Sequence, residues 1–387
     1  MSVIKSPRIA IIGAGVSGLT TGIVFASVGA DVIIYADRFP AQEEKKNVYS
    51  SLSNYAKGAI IPRNISQADS LMRFFESVSF FRKLSLLDWP IRQKRHLEMF
   101  DKNYAPPEYL QLMDYLKEPE NLPVNENSIL KHEDLNSWIY SYYLVNPPVY
   151  LSHLEKQFKS LGGTKKEANL NRNDLEHLDA DYVINCSGIH GYRFEHNAKM
   201  PGLLGEFHID ILTNQTEHLP YSFTYRKANK LPDKHYREIF AFPQPGKIIT
   251  GTYHSDVTIS TLSENSLPEV NDNSVLINNF DIPEEFIKEI LESIKTGWGV
   301  DFSNAPQNVH IGYFTSHSEK QKLYWDSYKP RILHNYGQGD MGFALSWGNA
   351  MDCLRMINQQ KPLYPDRFSP MEQILSELSQ LSVSELK

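Results

Sequence analysis

Six residues near the N-terminus, Gly13-Ala14-Gly15-Val16-Ser17-Gly18, constrain this chain more than any others. The first glycine of such a set permits a tight turn. The second lets an anionic ligand reach the backbone, and the third lets a helix pack closely on a strand. The same letters occur as plain turns in unrelated α/β proteins, so the surroundings decide. Residues 8–12 are β-branched and read as a strand. Leu19, Ile23 and Ala26 then share a helical face, Gly29 ends the helix, and residues 31–36 read as a second strand. Asp37 follows Gly18 by nineteen residues (37 minus 18), where an acid can accept from a ribose hydroxyl. The helix start offers N–H donors and a partial positive charge to a diphosphate. The pattern predicts a βαβ unit for an adenine dinucleotide and does not separate NAD from FAD.

Further strands of the same buried kind lie at 181–185, ending in Cys186-Ser187-Gly188, and at 331–336, before a glycine-rich turn and a helix over 342–358. Between them lie alternating segments such as Lys247-Ile248-Ile249-Thr250 within 204–256, which read as antiparallel strands. Residues 66–118 read as helical and aromatic-rich, 151–161 and 282–296 as helices, and the last twenty residues as surface helix or tail. Nucleotide-type strands at the start, middle and end predict a discontinuous α/β domain, 1–65 with 145–195 and 305–387. A second domain, 66–144 with 196–304, is inserted into it and carries a mixed or antiparallel sheet.

The chain has 387 residues, a formal net charge of −7 and two cysteines, Cys186 and Cys353. The acidic balance gives no general attraction for nucleic acid or an anionic membrane. No run approaches the ~20 apolar residues of a membrane span. Two distant cysteines make neither a disulfide framework nor a zinc site and suit a cytoplasmic protein. The histidines, among them His190, His208 and His334, form no HExxH or Cys/His cluster, so no metal is expected. Tyr140, Tyr142, Tyr143 and Tyr150 read as core packing.

Three ordered segments resemble the D-amino-acid oxidase family, which includes D-aspartate oxidase: Tyr35-Ala36-Asp37-Arg38-Phe39, Val183-Ile184-Asn185-Cys186-Ser187-Gly188, and Ile332 to Gly342 continuing through Ser346-Trp347-Gly348. The resemblance implies FAD, a Rossmann-like FAD domain with an inserted substrate domain, and oxidation at a carbon–nitrogen bond. It implies a cofactor set. Gly13, Gly15, Val16, Ser17 and Gly18 take the diphosphate, and Ala36, Asp37 and Arg38 the adenosine ribose. Ser53, Lys57, Gly58 and Ala59 pass the diphosphate and ring, with Gly58 as the close-approach glycine. Ser187 and Gly188 lie over the adenosine-to-ribityl region, and Gly339, Asp340, Met341, Gly342, Phe343 and Ala344 line the flavin pyrimidine edge. Lys57 reads equally as a charge near the flavin or a surface lysine.

The chain departs from the family where substrate is bound. The family's carboxylate-binding arginine falls on Phe314, in Gly312-Tyr313-Phe314-Thr315. A phenyl ring cannot make a bidentate guanidinium–carboxylate pair. The family's two active-site tyrosines fall on Tyr236 and Phe240, and a glycine of the C-terminal turn is Asp340. Arg226 and Arg237 are open as relocated clamps, and Asp340 as a solvent-facing turn residue. Tyr236, Phe240, Phe314 and Asp340 form the candidate substrate lining. The expectation is an oxidase of an amine or amino-acid-derived substrate lacking the standard carboxylate clamp, with oxygen as acceptor. A dehydrogenase or tailoring enzyme of specialised metabolism, and a low-turnover flavin-binding protein, stay open, as does a homodimer.

Overall fold

The computed structural model describes residues 6–40, 52–63, 65, 68–101, 106–117, 135–227, 237–257, 274–277, 280–315, 321–360 and 370–384. Along the chain these form β1 (Arg8–Ile12), α1 (Val16–Ser27), β2 (Asp31–Ala36), β3 (Ala59–Ile60), α2 (Ala68–Leu84), β4 (Ile91–Asp101), β5 (Asp114–Lys117), β6 (Leu135–Val145) and α3 (Pro147–Ser160). There follow β7 (Thr164–Glu167), α4 (Asp174–His177), β8 (Tyr182–Asn185), β9 (Leu203–Leu212), β10 (Ser222–Lys227), β11 (Arg237–Gln244) and β12 (Lys247–Val257). The last are β13 (Ser274–Ile277), β14 (Phe280–Pro283), α5 (Glu284–Trp298), β15 (Gln307–Thr315), β16 (Lys322–Trp325), β17 (Ile332–Tyr336), α6 (Ser346–Gln360) and α7 (Pro370–Ser384).

Contacts group the chain into two compact units: Met1–Arg92 with Val145–Gly202 and Phe314–Lys387, and Gln93–Leu144 with Leu203–Tyr313. In the first, a sheet runs β16-β17-β8-β1-β2-β7. Strands β17, β8, β1, β2 and β7 are parallel neighbours, while β16 is antiparallel to β17. Ile11 pairs with both Ile34 and Ile184, so the apolar runs meet side by side at the centre. Strands covered on both faces need no polar alternation, which is why β1 and β8 read as continuous apolar runs. All twelve residues of α1 are buried. Helices α3, α6 and α7 pack against it, and Gln373 of α7 donates to the Ser27 carbonyl at 3.1 Å.

The other unit's sheet runs β15-β9-β12-β11-β10-β4-β6. Its helix-covered face is apolar: Leu97, Met99, Ile209, Ile211, Phe223, Ile239 and Ile248 pack with Ile287, Ile290 and Ile294 of α5.

The expected boundaries shift at three places. Residues 66–92, expected with the inserted domain, belong to the first unit. Helix α2 is held there because Phe80 stacks on Trp347 at 4.6 Å and Gly348 N–H donates to Ser77 Oγ at 2.8 Å. Residues 196–202 also stay with the first unit, and 305–313 fall in the second because β15 joins β9. The helical reading of 66–118 ends at Leu84; 91–101 is a strand whose alternate residues Leu97 and Met99 reach the core. The C-terminal segment docks, with Ile374 and Leu378 fully buried.

Candidate functional site

Ligands of open α/β sheets bind beyond the carboxyl ends of the strands. In the first unit those ends carry Gly13 after β1, Asp37 after β2, Cys186 to Gly188 after β8, and Gly337 to Gly342 after β17. Gly13 has φ +104°, and a Cβ there would lie 2.6 Å from the Cys186 carbonyl oxygen. A Cβ on Gly18 would collide with the carbonyl oxygen of Gly13. The first and third glycines are therefore required by the protein's own backbone. Gly15 is the N-cap of α1 and supplies no side-chain cap. Instead Ser53 Oγ accepts from Val16 N–H at 3.2 Å. A Cβ on Gly15 would meet that same hydroxyl at 3.0 Å, so the second glycine leaves a cradle at the helix start that a side chain would fill. Ser17 is buried, and its carbonyl accepts from Thr21 Oγ1 at 2.7 Å.

At the end of β2, Ala36 is buried and its carbonyl accepts from Ala168 N–H at 2.8 Å, while Asp37 and Arg38 are exposed. Gly58 has φ +73°, and a Cβ there would collide with the Val145 carbonyl. Its carbonyl accepts from Val145 N–H at 3.0 Å, so the close approach at Gly58 is to Val145. Lys57 and Ala59 beside it are half-buried.

One buried asparagine organises the turn after β8. Asn185 Oδ1 accepts from Ser187 Oγ at 2.6 Å and from Ser187 N–H at 3.3 Å, and its Nδ2 donates to the Gly191 carbonyl at 2.9 Å. Gly188 has φ +59° and open space where a Cβ would be. Burial pushes the Cys186 thiol up to about 12, with weaker opposing hydrogen bonds to Thr21 and Asn335. It is a packed thiol and not a nucleophile.

The C-terminal turn reaches the same region. Gly339 N–H donates to Thr315 Oγ1 at 3.0 Å, one residue beyond Phe314, which is buried. A Cβ on Gly342 would have Val16 Cγ1 as its nearest neighbour, at 3.8 Å. The 337–344 segment therefore lies beside the start of α1. Met341, Phe343 and Ala344 are buried, and Asp340 is exposed. Regular helix begins at Ser346, four residues later than expected (346 minus 342), after a short 3-10 turn over Gly339–Met341.

In the second unit Phe240 is fully buried against His208 and Phe242. Tyr236 lies outside the described residues. Sequence reasoning missed the buried polar network on this sheet. His96 Nδ1 lies 2.8 Å from Ser222 Oγ, Ser222 Oγ donates to Tyr142 OH at 2.7 Å, and Tyr140 OH donates to Glu98 Oε2 at 2.9 Å. The signal was present in polar residues at alternate positions of β4 and β10. Arg226 donates to Glu238 Oε2 at 2.9 Å and lies 3.5 Å from Glu98 Oε1. Two carboxylates hold it, which removes the reading of Arg226 as a ready carboxylate clamp. Among the described residues no cluster of His, Cys, Asp or Glu could hold a metal.

The family model described as FAD dependent oxidoreductase (DAO) matches residues 8–352. The chain belongs to this family. Two curated relatives are each 22% identical: D-amino-acid oxidase of Dictyostelium discoideum, aligned over 91% of this chain and 92% of its own length, and D-amino acid oxidase of Dugesia ryukyuensis, over 91% and 97%. Among solved structures, L-proline dehydrogenase from P. horikoshii superposes with TM-score 0.64 at 13% identity, covering 92% of this chain and 94% of its own. Glycine oxidase from Geobacillus kaustophilus gives 0.60 at 13%, covering 94% and 100%. The family's cofactor is FAD, and the helix start at Gly15, where Val16 N–H meets Ser53 Oγ and a side chain would crowd that hydroxyl, fits a diphosphate.

Proposed function

We propose that this FAD-dependent oxidoreductase oxidises the carbon–nitrogen bond of an amine or amino-acid-derived substrate that lacks the usual carboxylate clamp, with oxygen as final acceptor. When bound, FAD takes up a hydride equivalent from the substrate C–H beside nitrogen. The chain's residues hold and orient. The turn Gly13 to Gly18, with the Val16 N–H, receives the diphosphate, and Ser53 shares that donor. Asp37 accepts from the ribose, flanked by Ala36 and Arg38. Ser187 and Gly188 cover the adenosine-to-ribityl stretch. Lys57, Gly58 and Ala59 line the ring, while Gly339, Asp340, Met341, Gly342, Phe343 and Ala344 border its pyrimidine edge. Backbone donors there favour negative charge on that edge.

For the substrate we assign Tyr236, Phe240, Phe314 and Asp340. Phe314 occupies the position of the family's arginine, and Arg226, the other candidate clamp, is engaged by Glu98 and Glu238. An acidic and aromatic lining suits an amine, ester or amide better than a free carboxylate. The observation that supports the proposal is the arrival of the 339–344 turn beside the first turn of α1, as a dinucleotide that runs from the one to the other would need.

The test is anaerobic reduction of the flavin followed by absorbance. Amines, amino-acid esters and amides should bleach the visible flavin band faster than the matching free D-amino acids. Rapid bleaching by ordinary D-amino acids overturns the atypical-substrate assignment. Peroxide formed in a one-to-one ratio with product supports oxygen as acceptor, and its absence points to a dehydrogenase.

A further inference from the structure

The turn that follows β8 carries a histidine with no assigned task. His190 stands three residues beyond Ser187, and its N–H donates to the Ser187 carbonyl at 3.1 Å. The turn is braced on both sides of it. Asn185, fully buried, binds Ser187 with one end of its amide and Gly191 with the other. Gly191 is also locked by Tyr336, whose ring would collide with any Cβ there. The imidazole is thus presented from a fixed backbone.

The ring itself lacks what its backbone has. Neither nitrogen has a hydrogen-bond partner among the described residues, and Nδ1 is shielded from solvent. The charged groups that act on it are Asp37 and Arg193. Burial first, then Arg193, push its pKa below the ordinary histidine value, against the pull of Asp37. The imidazole is accordingly neutral near pH 7, with one nitrogen a donor and the other an acceptor.

Strand order turns these facts into a location. In the sheet β8 and β2 flank β1. Asp37 leaves the end of β2, and His190 the turn after β8, so a field of one on the other acts across the end of β1, above Gly13. Resting on the FAD reading above, we propose that His190 is a binding residue for the adenosine half of the dinucleotide, hydrogen-bonding the ribose or adenine opposite Asp37. A neutral imidazole suits that half, which offers hydroxyls and ring nitrogens. The diphosphate already has the Gly15–Val16 cradle.

Apoprotein variants titrated with FAD, ADP and FMN test this without any turnover. H190F keeps a ring and removes both nitrogens. It should weaken FAD and ADP about tenfold, the size of one neutral hydrogen bond, and leave FMN unchanged. H190Q, which can still donate and accept, should recover most of the loss. FAD and ADP constants of H190F within about twofold of wild type, or an equal loss for FMN, overturn the inference. Circular dichroism and melting check folding, and H190A is titrated in the same way if H190F melts early. A wild-type chain that never holds FAD overturns the proposed function, whereas one that holds FAD with an indifferent H190F overturns only the role of His190.

Discussion

At the scale of single residues, backbone crowding and buried charge set what can change. Gly18 has no room for a methyl, because the carbonyl of Gly13 occupies its place. Gly18→Ala should cost about 1–3 kcal/mol through overpacking and should lower FAD retention, read by urea melts and by flavin absorbance after gel filtration. His334 is a second sensitive residue. It is fully buried between Asp326, 3.1 Å from Nε2, and Asn185, 3.1 Å from Nδ1. Burial holds its pKa below the ordinary value despite the Asp326 carboxylate. A histidine with a depressed folded pKa binds its proton more readily when unfolded. Its stabilising share is therefore complete above about pH 6.5, the unfolded value, and falls away as pH drops from there toward the folded pKa. His334→Gln should flatten the pH dependence of stability below about pH 6.5, measured by melting temperature as the pH is lowered. The sequence revealed His334 as a packed strand residue, but its partner Asp326 lies in the loop joining β16 to β17, and only the antiparallel pairing of those two strands brings the pair together. Gly58 shows the same limit: its need for glycine is legible, while the neighbour that imposes it, Val145, is distant in sequence.

Elements show why some stretches were legible and others were not. β1, α1 and β2 are read directly, since strand, glycine turn and helix each carry their own local pattern. β4 is harder, because Arg92, Lys94 and Arg95 surround the few core residues and blur the alternation. The pairing of α2 with α6 cannot be read locally at all. It depends on Trp347, stacked on Phe80 and donating from Nε1 to Tyr150 OH at 3.0 Å. Tyr150 is fully buried, so Tyr150→Phe strands a buried indole N–H and should cost about 1–3 kcal/mol. Adding Trp347→Phe removes the stranded donor, so the double variant should lose less than the sum of the two, as a double-mutant cycle by chemical denaturation would show. Strict additivity would mean that the bond carries no weight.

For the whole molecule, the division into a unit with a mostly parallel sheet and a unit with a mixed, mainly antiparallel sheet was legible from the kind of strand each segment offers. The exact allotment was not, because residues 66–92 and 305–313 are assigned by long-range packing. Among the described residues no helix is long and apolar enough to cross a membrane. A ligand that binds only the folded form at a hundred times its dissociation constant adds about 2.7 kcal/mol of stability. FAD should raise the melting temperature of the apoprotein accordingly, and FMN, lacking the adenosine half, should raise it less. Equal shifts would argue against a dinucleotide site at the Gly13–Gly18 turn.

The helix that opens at that turn has no solvent-facing side. A rod enclosed this way cannot tilt or slide without its wrapping, so its first N–H groups are aimed before any cofactor arrives. The wrapping includes α7, more than three hundred residues downstream in sequence. Cutting the chain before Pro370 removes no atom of the proposed cofactor cradle, yet it should slacken that aim and let flavin wash out. The grip on the dinucleotide is thereby made a property of both ends of the polypeptide.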